Sequence, residues 1–260
     1  MQQEDLIRAM AGLPIPEIRY FDTIGSTNEV ALAWAEAGAA DGSLVVADRQ
    51  TRGRGRLGRS WVTNPGAALA FSLVLRPSPG EAQRLALFSP LAGLAVCLAL
   101  QDLGLAAEIK WPNDVLLAGR KVCGILAESA WEGEALRAVV VGIGVNIAPT
   151  SVPPPGQLQY PATCVEEQLG RPVDRAALLR AVLAEFFRWR VNLGAPEFFR
   201  AWEDRLAFKG QRVQLLNSGA GAIEGILLGV DEQGNLRIGT EDGQEKIVSV
   251  GDVHLRPVGV

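Results

Sequence analysis

The spacing of apolar residues along this chain changes once, near residue 207, and that change limits the fold more than any other feature. Upstream, helical spacing is expected over 161–169, 174–192 and 196–205, the middle segment opened by Asp174 at an N-cap position. From Gln211 onward the runs of Val, Ile and Leu are short. They are separated by the turn-forming clusters Asn217-Ser218-Gly219, Asp231-Glu232-Gln233-Gly234-Asn235 and Glu241-Asp242-Gly243. This spacing predicts a small barrel after a larger unit, with domains over 1–206 and 207–260. A chain of 260 residues, 48% of them hydrophobic, holds enough apolar material for both.

In the larger unit, strands are expected over 18–22, 43–47, 67–75, 107–111, 114–117, 121–129 and 136–146, with helices over 27–38 and 81–103. The apolar stretch 85–100 carries Ser89 and Pro90 and falls short of the roughly 20 residues a bilayer span needs, so it reads as a buried helix with no membrane partner. Between two of the strands, 49–60 has no apolar periodicity and is interspersed with glycine, which predicts a mobile surface loop. Residues 117–121 have hairpin character around Gly119, and Pro153, Pro154 and Pro155 interrupt regular structure.

Composition narrows the chemistry. The net charge of −4 gives no global field for nucleic acid or anionic membrane, so anion binding must come from local arginines and lysines. His254 is the only histidine and lies near the C-terminus, which argues against Ser–His and Cys–His nucleophilic machinery. Cys97, Cys123 and Cys164 are scattered without metal-ligand spacing and fit a reducing compartment. The start Met1-Gln2-Gln3-Glu4-Asp5 lacks the features of a secretory signal, so a cytoplasmic location is expected.

Five segments offer chemistry. Gly53-Arg54-Gly55-Arg56-Leu57-Gly58-Arg59 combines guanidinium forks with glycines that let backbone N–H groups approach an anion, which suits a phosphate or acyl phosphate. A solvated charged loop explains that segment equally well, and no Gly-Lys-Ser/Thr follows to make it a Walker loop. Lys110-Trp111-Pro112-Asn113-Asp114 could orient a ligand or hold magnesium alongside phosphates, though Asn-Asp after Pro is also ordinary turn chemistry. Lys121 has apolar neighbours and suits a ligand carboxylate, against the alternative of a surface hairpin lysine; Gly124 inside the same strand signals close approach by a ligand or backbone. Ser26-Thr27-Asn28 suits a small polar head group, or simply a helix cap. Gly142, Gly144 and Asn146 read as a strand end with a tight turn, and Trp61 as a core residue.

The order of these segments resembles that of one family. Ser26-Thr27-Asn28, Gly53-Arg54-Gly55-Arg56 with Gly58-Arg59 and Trp61, Lys110 to Asp114, Arg120-Lys121 with Gly124-Ile125-Leu126 and Glu128, and Gly142-Ile143-Gly144 with Asn146 follow the sequence of motifs in biotin protein ligases, over nearly the whole chain. The resemblance implies an α+β fold: a mixed-sheet catalytic domain of the class II synthetase-like biotin/lipoate ligase type, followed by a small SH3-like β-barrel. It implies that biotin and ATP, with Mg2+, give biotinyl-5'-AMP, and that the biotinyl group passes to a lysine of a biotin carboxyl carrier protein, in acetyl-CoA carboxylase or another biotin-dependent carboxylase. It further implies a monomer or homodimer.

Carried over by position, Ser26, Thr27, Asn28, Gln50, Arg54, Gly55, Arg56, Lys121 and Gly124 fall to biotin, with Lys121, Arg56 and Asp114 as catalytic groups. Trp61, Lys110, Asn113 and Asn146 fall to the nucleotide, and Asp114 to the metal. Two departures matter. Only 1–17 precede the first expected strand, where bifunctional members carry a winged-helix DNA-binding domain, so DNA binding is not expected. Leu57 stands where some relatives have a second consecutive arginine. The competing assignments are a lipoate or octanoate ligase, whose glycine-rich and His-Asp segment is missing here, and a non-catalytic nucleic-acid module, against which the net charge argues.

Overall fold

The computed structural model describes residues 2–154, 156, 160–217, 221–249 and 253–257. Seven strands form the first sheet: β1 (Ile18–Ile24), β2 (Ser43–Gln50), β3 (Ala68–Leu75), β4 (Ala107–Lys110), β5 (Asp114–Leu117), β6 (Arg120–Glu132) and β7 (Ala135–Asn146), in the order β1-β2-β3-β7-β6-β5-β4. β1 and β2 are parallel and every other neighbouring pair is antiparallel, so the sheet is mixed. β3 is buried at every position, as expected for an unbroken apolar run in the middle of a sheet covered on both faces.

Helices cover the two faces unequally. α1 (Gln3–Ala9), α2 (Thr27–Glu36), α3 (Pro79–Ala82), α4 (Phe88–Asp102), α5 (Val165–Leu169), α6 (Arg175–Arg190) and α7 (Pro196–Glu203) follow in chain order. α4 packs on α6 over the larger core, which includes Phe71, Leu73, Leu91, Leu94, Leu179, Leu183 and Phe186. Each such side chain contributes about 1.5–3 kcal/mol when fully buried. On the opposite face α2 covers a smaller cluster of Ala31, Trp34, Val45, Val74 and Val140. Only part of that face lies under α2.

The structure revises several expected elements. The helix expected over 81–103 is broken into α3, a 3-10 turn at Leu85–Leu87, and α4. Ser78 and Glu81 form a capping box that starts α3 early, and Arg84 then leaves helical backbone angles at φ −127 and ψ 33. By length and composition Leu85–Asp102 could cross a membrane, but Leu87, Phe88, Leu91, Leu94 and Leu100 are built into the core. The helix expected over 161–169 shrinks to α5, because residues 161–163 stay extended beside Lys121: Lys121 N–H donates to the Pro161 carbonyl (2.8 Å) and Thr163 N–H to the Lys121 carbonyl (2.9 Å). α1 had no counterpart in the sequence reading; Leu6 and Met10 bury it, and Arg180 donates to the carbonyls of Ala9 and Ala11.

A second, antiparallel sheet has the order β11-β10-β9-β8-β12, from β8 (Arg212–Asn217), β9 (Gly221–Val230), β10 (Leu236–Gly239), β11 (Glu245–Val248) and β12 (Val253–Pro257). The turn expected at 231–235 forms: Asp231 Oδ1 accepts from the N–H groups of Gln233 (2.9 Å) and Asn235 (2.8 Å), and Gly234 takes φ +82. Residues 218 and 219 of the turn expected at 217–219, and Pro155 of the proline run, lie outside the described residues. The two sheets meet where Trp111 Nε1 donates to the Gly234 carbonyl at 3.0 Å.

Candidate active site

The register of three central strands makes a depression in the first sheet. Ala70 of β3 pairs with Gly144 of β7, which pairs with Gly124 of β6; in the next row Ser72 pairs with Gly142, which pairs with Leu126. Beyond the edge of α2, three of those positions on one face therefore have no side chain. The space is filled from above. A Cβ on Gly142 would lie 2.0 Å from Asn28 Oδ1, and one on Gly144 would lie 2.4 Å from the Trp61 ring. Glycine is required here for close approach, not for backbone conformation.

At the first turn of α2, Ser26, Thr27 and Asn28 are buried polar residues. Ser26 occupies the N-cap position but makes no side-chain capping bond. Gln50 Oε1 accepts from Thr27 N–H (2.8 Å) and Oγ1 (3.1 Å), while Gln50 Nε2 lies 3.4 Å from Thr63 Oγ1. Ser72 Oγ, fully buried on β3, lies 2.8 Å from Thr27 Oγ1 and 2.6 Å from Asn28 Oδ1. Asn28 Nδ2 donates to the Leu126 carbonyl (3.1 Å) and to Glu128 Oε2 (2.7 Å). The amide of Asn28 is thus spent within the protein, and its contribution is to fix the strip in place.

Opposite this strip sit the charges. Lys121 Nζ is 2.6 Å from Asp114 Oδ1, with the side chains 25% and 13% exposed, and Lys110 Nζ is 3.9 Å from Asp114 Oδ2. A lysine so enclosed keeps its ammonium next to one counter-ion and has room for an incoming anion. Lys121 also lies 5.7 Å from the centroid of the Trp61 ring, and Lys110 lies 4.9 Å from that of Tyr160. Asn113 fixes the turn before Asp114 by donating to the Ile125 carbonyl (2.7 Å). Cys123 supplies no thiolate: it is buried, and burial pushes its thiol well above the ordinary range.

The arginine loop closes the site. Its feet pair through Arg54 and Ser60, with Gly55 N–H donating to the Arg59 carbonyl (2.7 Å), and Arg56–Gly58 forms a single 3-10 turn in which Leu57 takes φ 57. Arg56 reaches inward, its Nη1 3.5 Å from Asn113 Oδ1, whereas Arg54 turns to Glu128 Oε2 at 2.8 Å and to Glu29 at 3.9 Å. The enclosed space beneath is only about 120 Å³, while a second cavity of about 640 Å³ lies across the loop and shares its Arg54–Arg59 wall. Small-molecule sites typically span about 300–1,000 Å³, a size that the inner space does not reach by itself and the adjoining cavity does. The Trp61 Nε1–H is buried without a partner, a donor available to a ligand.

Of the residues singled out from sequence, Ser26, Thr27, Asn28, Gln50, Arg54, Gly55, Arg56, Trp61, Lys110, Asn113, Asp114, Lys121 and Gly124 line the inner cavity together. Asn146 does not: at the end of β7 it is buried and donates to the Thr163 carbonyl at 3.1 Å. Trp61, read on its own as core, instead forms a partly exposed wall of the cavity. Ser72 and Glu128 were missed as participants. Glu128 was legible in retrospect, since a period of two from Gly124 through Leu126 places it on the same face of β6.

Comparisons with known proteins agree with this geometry. Residues 20–146 match the Biotin/lipoate A/B protein ligase family, and residues 208–256 match the Biotin protein ligase C terminal domain. The chain is 39% identical over 235 residues to a biotin--[acetyl-CoA-carboxylase] ligase of Paracoccus denitrificans, covering 85% of this chain and 94% of that one. It is 36% identical over 242 residues to a bifunctional ligase/repressor of Bacillus spizizenii, covering 91% of this chain and 73% of the relative. Its fold is similar to that of a biotin protein ligase from Aquifex aeolicus in complex with biotin and ATP, with a TM-score of 0.81 at 33% identity, covering 94% of this chain and 100% of that structure.

Proposed function

The chain belongs to the biotin protein ligase family, and from that premise we infer how its residues divide the work of the reaction. The enzyme activates biotin with ATP as biotinyl-5'-AMP and transfers the biotinyl group to a lysine of a biotin carboxyl carrier protein. In the first step a biotin carboxylate oxygen bonds to the α-phosphorus and pyrophosphate leaves. In the second the acceptor amine bonds to the acyl carbon, the acyl–phosphate bond breaks, and AMP leaves with that electron pair.

The observation that carries the assignment of roles is the Lys121–Asp114 pair, set beside the glycine depression and under the arginine loop. Lys121 holds the biotin carboxylate and then the acyl phosphate, its ammonium offsetting charge that water offsets poorly in a half-enclosed site. Ser26, Thr27 and Gln50 receive the biotin head group, and Asn28 orders them. Arg56 lies over the phosphate. The Trp61 ring and its unpartnered N–H, with Lys110 and Asn113, face the nucleotide. Proximity and charge placement are what such transfers demand, and among the described residues no histidine lines the inner cavity.

For Mg2+, Asp114 is the sole carboxylate lining the inner cavity, and no group of three or more His, Cys, Asp or Glu ligands occurs among the described residues. That donor set fits an ion held mainly by phosphate oxygens and water, with Asp114 as its protein ligand. Bound with the triphosphate, it would neutralise phosphate charge. The second sheet, five short antiparallel strands, supports the reading as an SH3-like barrel beginning near residue 207. A cytoplasmic location accords with three free, buried cysteines.

The assignment is tested by intact-mass measurement of a biotin-acceptor domain after incubation with the enzyme, ATP, magnesium and either biotin or lipoate. A gain of one biotinyl group per acceptor is expected. A gain with lipoate alone would overturn it.

A further inference from the structure

Glu128 lies outside the inner cavity yet touches two of the parts that define it. It sits on β6, with its side chain 26% exposed, and a single oxygen, Oε2, accepts from Asn28 Nδ2 at 2.7 Å and from Arg54 Nη2 at 2.8 Å. The first partner is buried in the first turn of α2, with its remaining amide hydrogen on the Leu126 carbonyl and its oxygen against Ser72. The second is one foot of the arginine loop. The other acid near that foot, Glu29, stands 3.9 Å from Arg54 and 3.4 Å from Arg52 in an exposed setting, where an ion pair contributes little.

We propose that Glu128 is a positioning residue that latches the arginine loop to the biotin-recognition strip and thereby sets how long the biotinyl-adenylate is retained. This rests on the proposed function, in which Arg56 lies over the phosphate and the arginine loop is thereby a lid on the biotinyl-adenylate. The loop has two kinds of arginine. Arg56 at the tip reaches Asn113, while Arg54 at the foot reaches Glu128. A tip can cover the intermediate only while its foot is fixed. The backbone bonds that close it are two, Gly55 N–H to the Arg59 carbonyl and Trp61 N–H to the Gly53 carbonyl, which together make the Arg54–Ser60 bridge. A charge-assisted hydrogen bond from the immobile strip supplies a further tether, and Asn28 holds Glu128 at the right place to make it. Asn28 thereby orders the head-group contacts and anchors the lid.

The test measures release of preformed biotinyl-adenylate by chase, in Glu128→Gln, Arg54→Gln and the double variant, with biotin affinity and thermal midpoint recorded for each. Glu128→Gln keeps an acceptor for Asn28 but removes the charge that holds Arg54. Loss of one charged hydrogen bond should speed release about tenfold in either single variant. The double variant should be no faster than the singles, because both remove the same contact. In Glu128→Gln, biotin affinity should change far less than release. The proposal is overturned if release in both singles stays within about twofold of the unsubstituted enzyme, or if the two effects multiply. It is also overturned if biotin affinity falls in parallel with release, which would make Glu128 a support of the fold alone. Arg56→Gly separates this from the lid reading: if it speeds release and Glu128→Gln does not, only the latch fails. If Arg56→Gly leaves release unchanged, the lid itself is wrong.

Discussion

The two walls of the active site are built by opposite means. The floor, with the strip beside it, is a set of adjacent strands and a helix start in which the polar groups of Thr27, Asn28, Gln50 and Ser72 bond to one another, and Gly142 and Gly144 leave no room for a side chain. The arginine loop has no buried apolar side chain between Arg54 and Ser60 and is held by a handful of backbone bonds and carboxylates. A saturated wall defines what fits, and a loosely held wall defines how long it stays. Recognition and retention should therefore separate under mutation.

Lys121→Ala, which removes the charge between the walls, should give the largest effect. Adenylate formation should fall by about a hundredfold or more, with little change in folding, because the biotin carboxylate loses its counter-charge. A pyrophosphate-release assay at the unsubstituted rate would refute the role. Gly142→Ala attacks the floor: the new methyl would collide with Asn28. Biotin affinity by calorimetry should fall about tenfold or more, with about 1–3 kcal/mol lost in stability from overpacking. Unchanged affinity would show that Asn28 can yield, and the saturated-wall argument would fail.

Arg56→Gly attacks the loop instead. Escape of the adenylate to free lysines, read by mass spectrometry of bystander proteins, should rise about tenfold while the thermal midpoint holds, since Arg56 belongs to a loop that adds no apolar side chain to the core. Equal bystander labelling would remove the distinction between the walls. The smallest effect is expected for Trp111→Phe, which deletes the bond to Gly234 that ties the second sheet to the turn before Asp114. An unpartnered buried carbonyl should cost about 1 kcal/mol. For a chain of this size that is a fall of roughly 2–4 °C in calorimetry.

Much of the fold was written in local patterns. The unbroken apolar run of β3 and the spacing of α6 behind Asp174 determined those elements, because each depends on periodicity and capping that a short window contains. The 81–103 segment misled because its break is made by a local capping box and by Arg84, which turns away to the Leu193 carbonyl 109 residues distant. Residues 161–163 misled because the Pro161 carbonyl and the Thr163 N–H bond to Lys121 instead of opening a helix. In the site, Lys121, Asp114 and the arginine loop were legible as chemistry, since charges and glycines without apolar periodicity have few structural uses. Ser72 was not, since a serine in an apolar strand carries no local signal, and Glu128 was legible only through the period of two along β6, which places it but names no partner.

By itself the sequence determined which residue types are available to an anion and in what order they appear: Ser26 to Asn28, Arg54 to Arg59, Lys110 to Asp114, and Lys121. It left open what each does with its hydrogen bonds. Only the tertiary structure decided that Asn28 is spent on Ser72, Leu126 and Glu128, that Arg54 turns to Glu128 while Arg56 turns to Asn113, and that Asn146 serves Thr163 and not the cavity. The physical reason is that a side chain's chemistry is fixed by its atoms, whereas its partners are fixed by strand register and by which elements pack across it. Pairing of Gly124 with Gly144, and of Gly142 with Ser72, is what opens the floor.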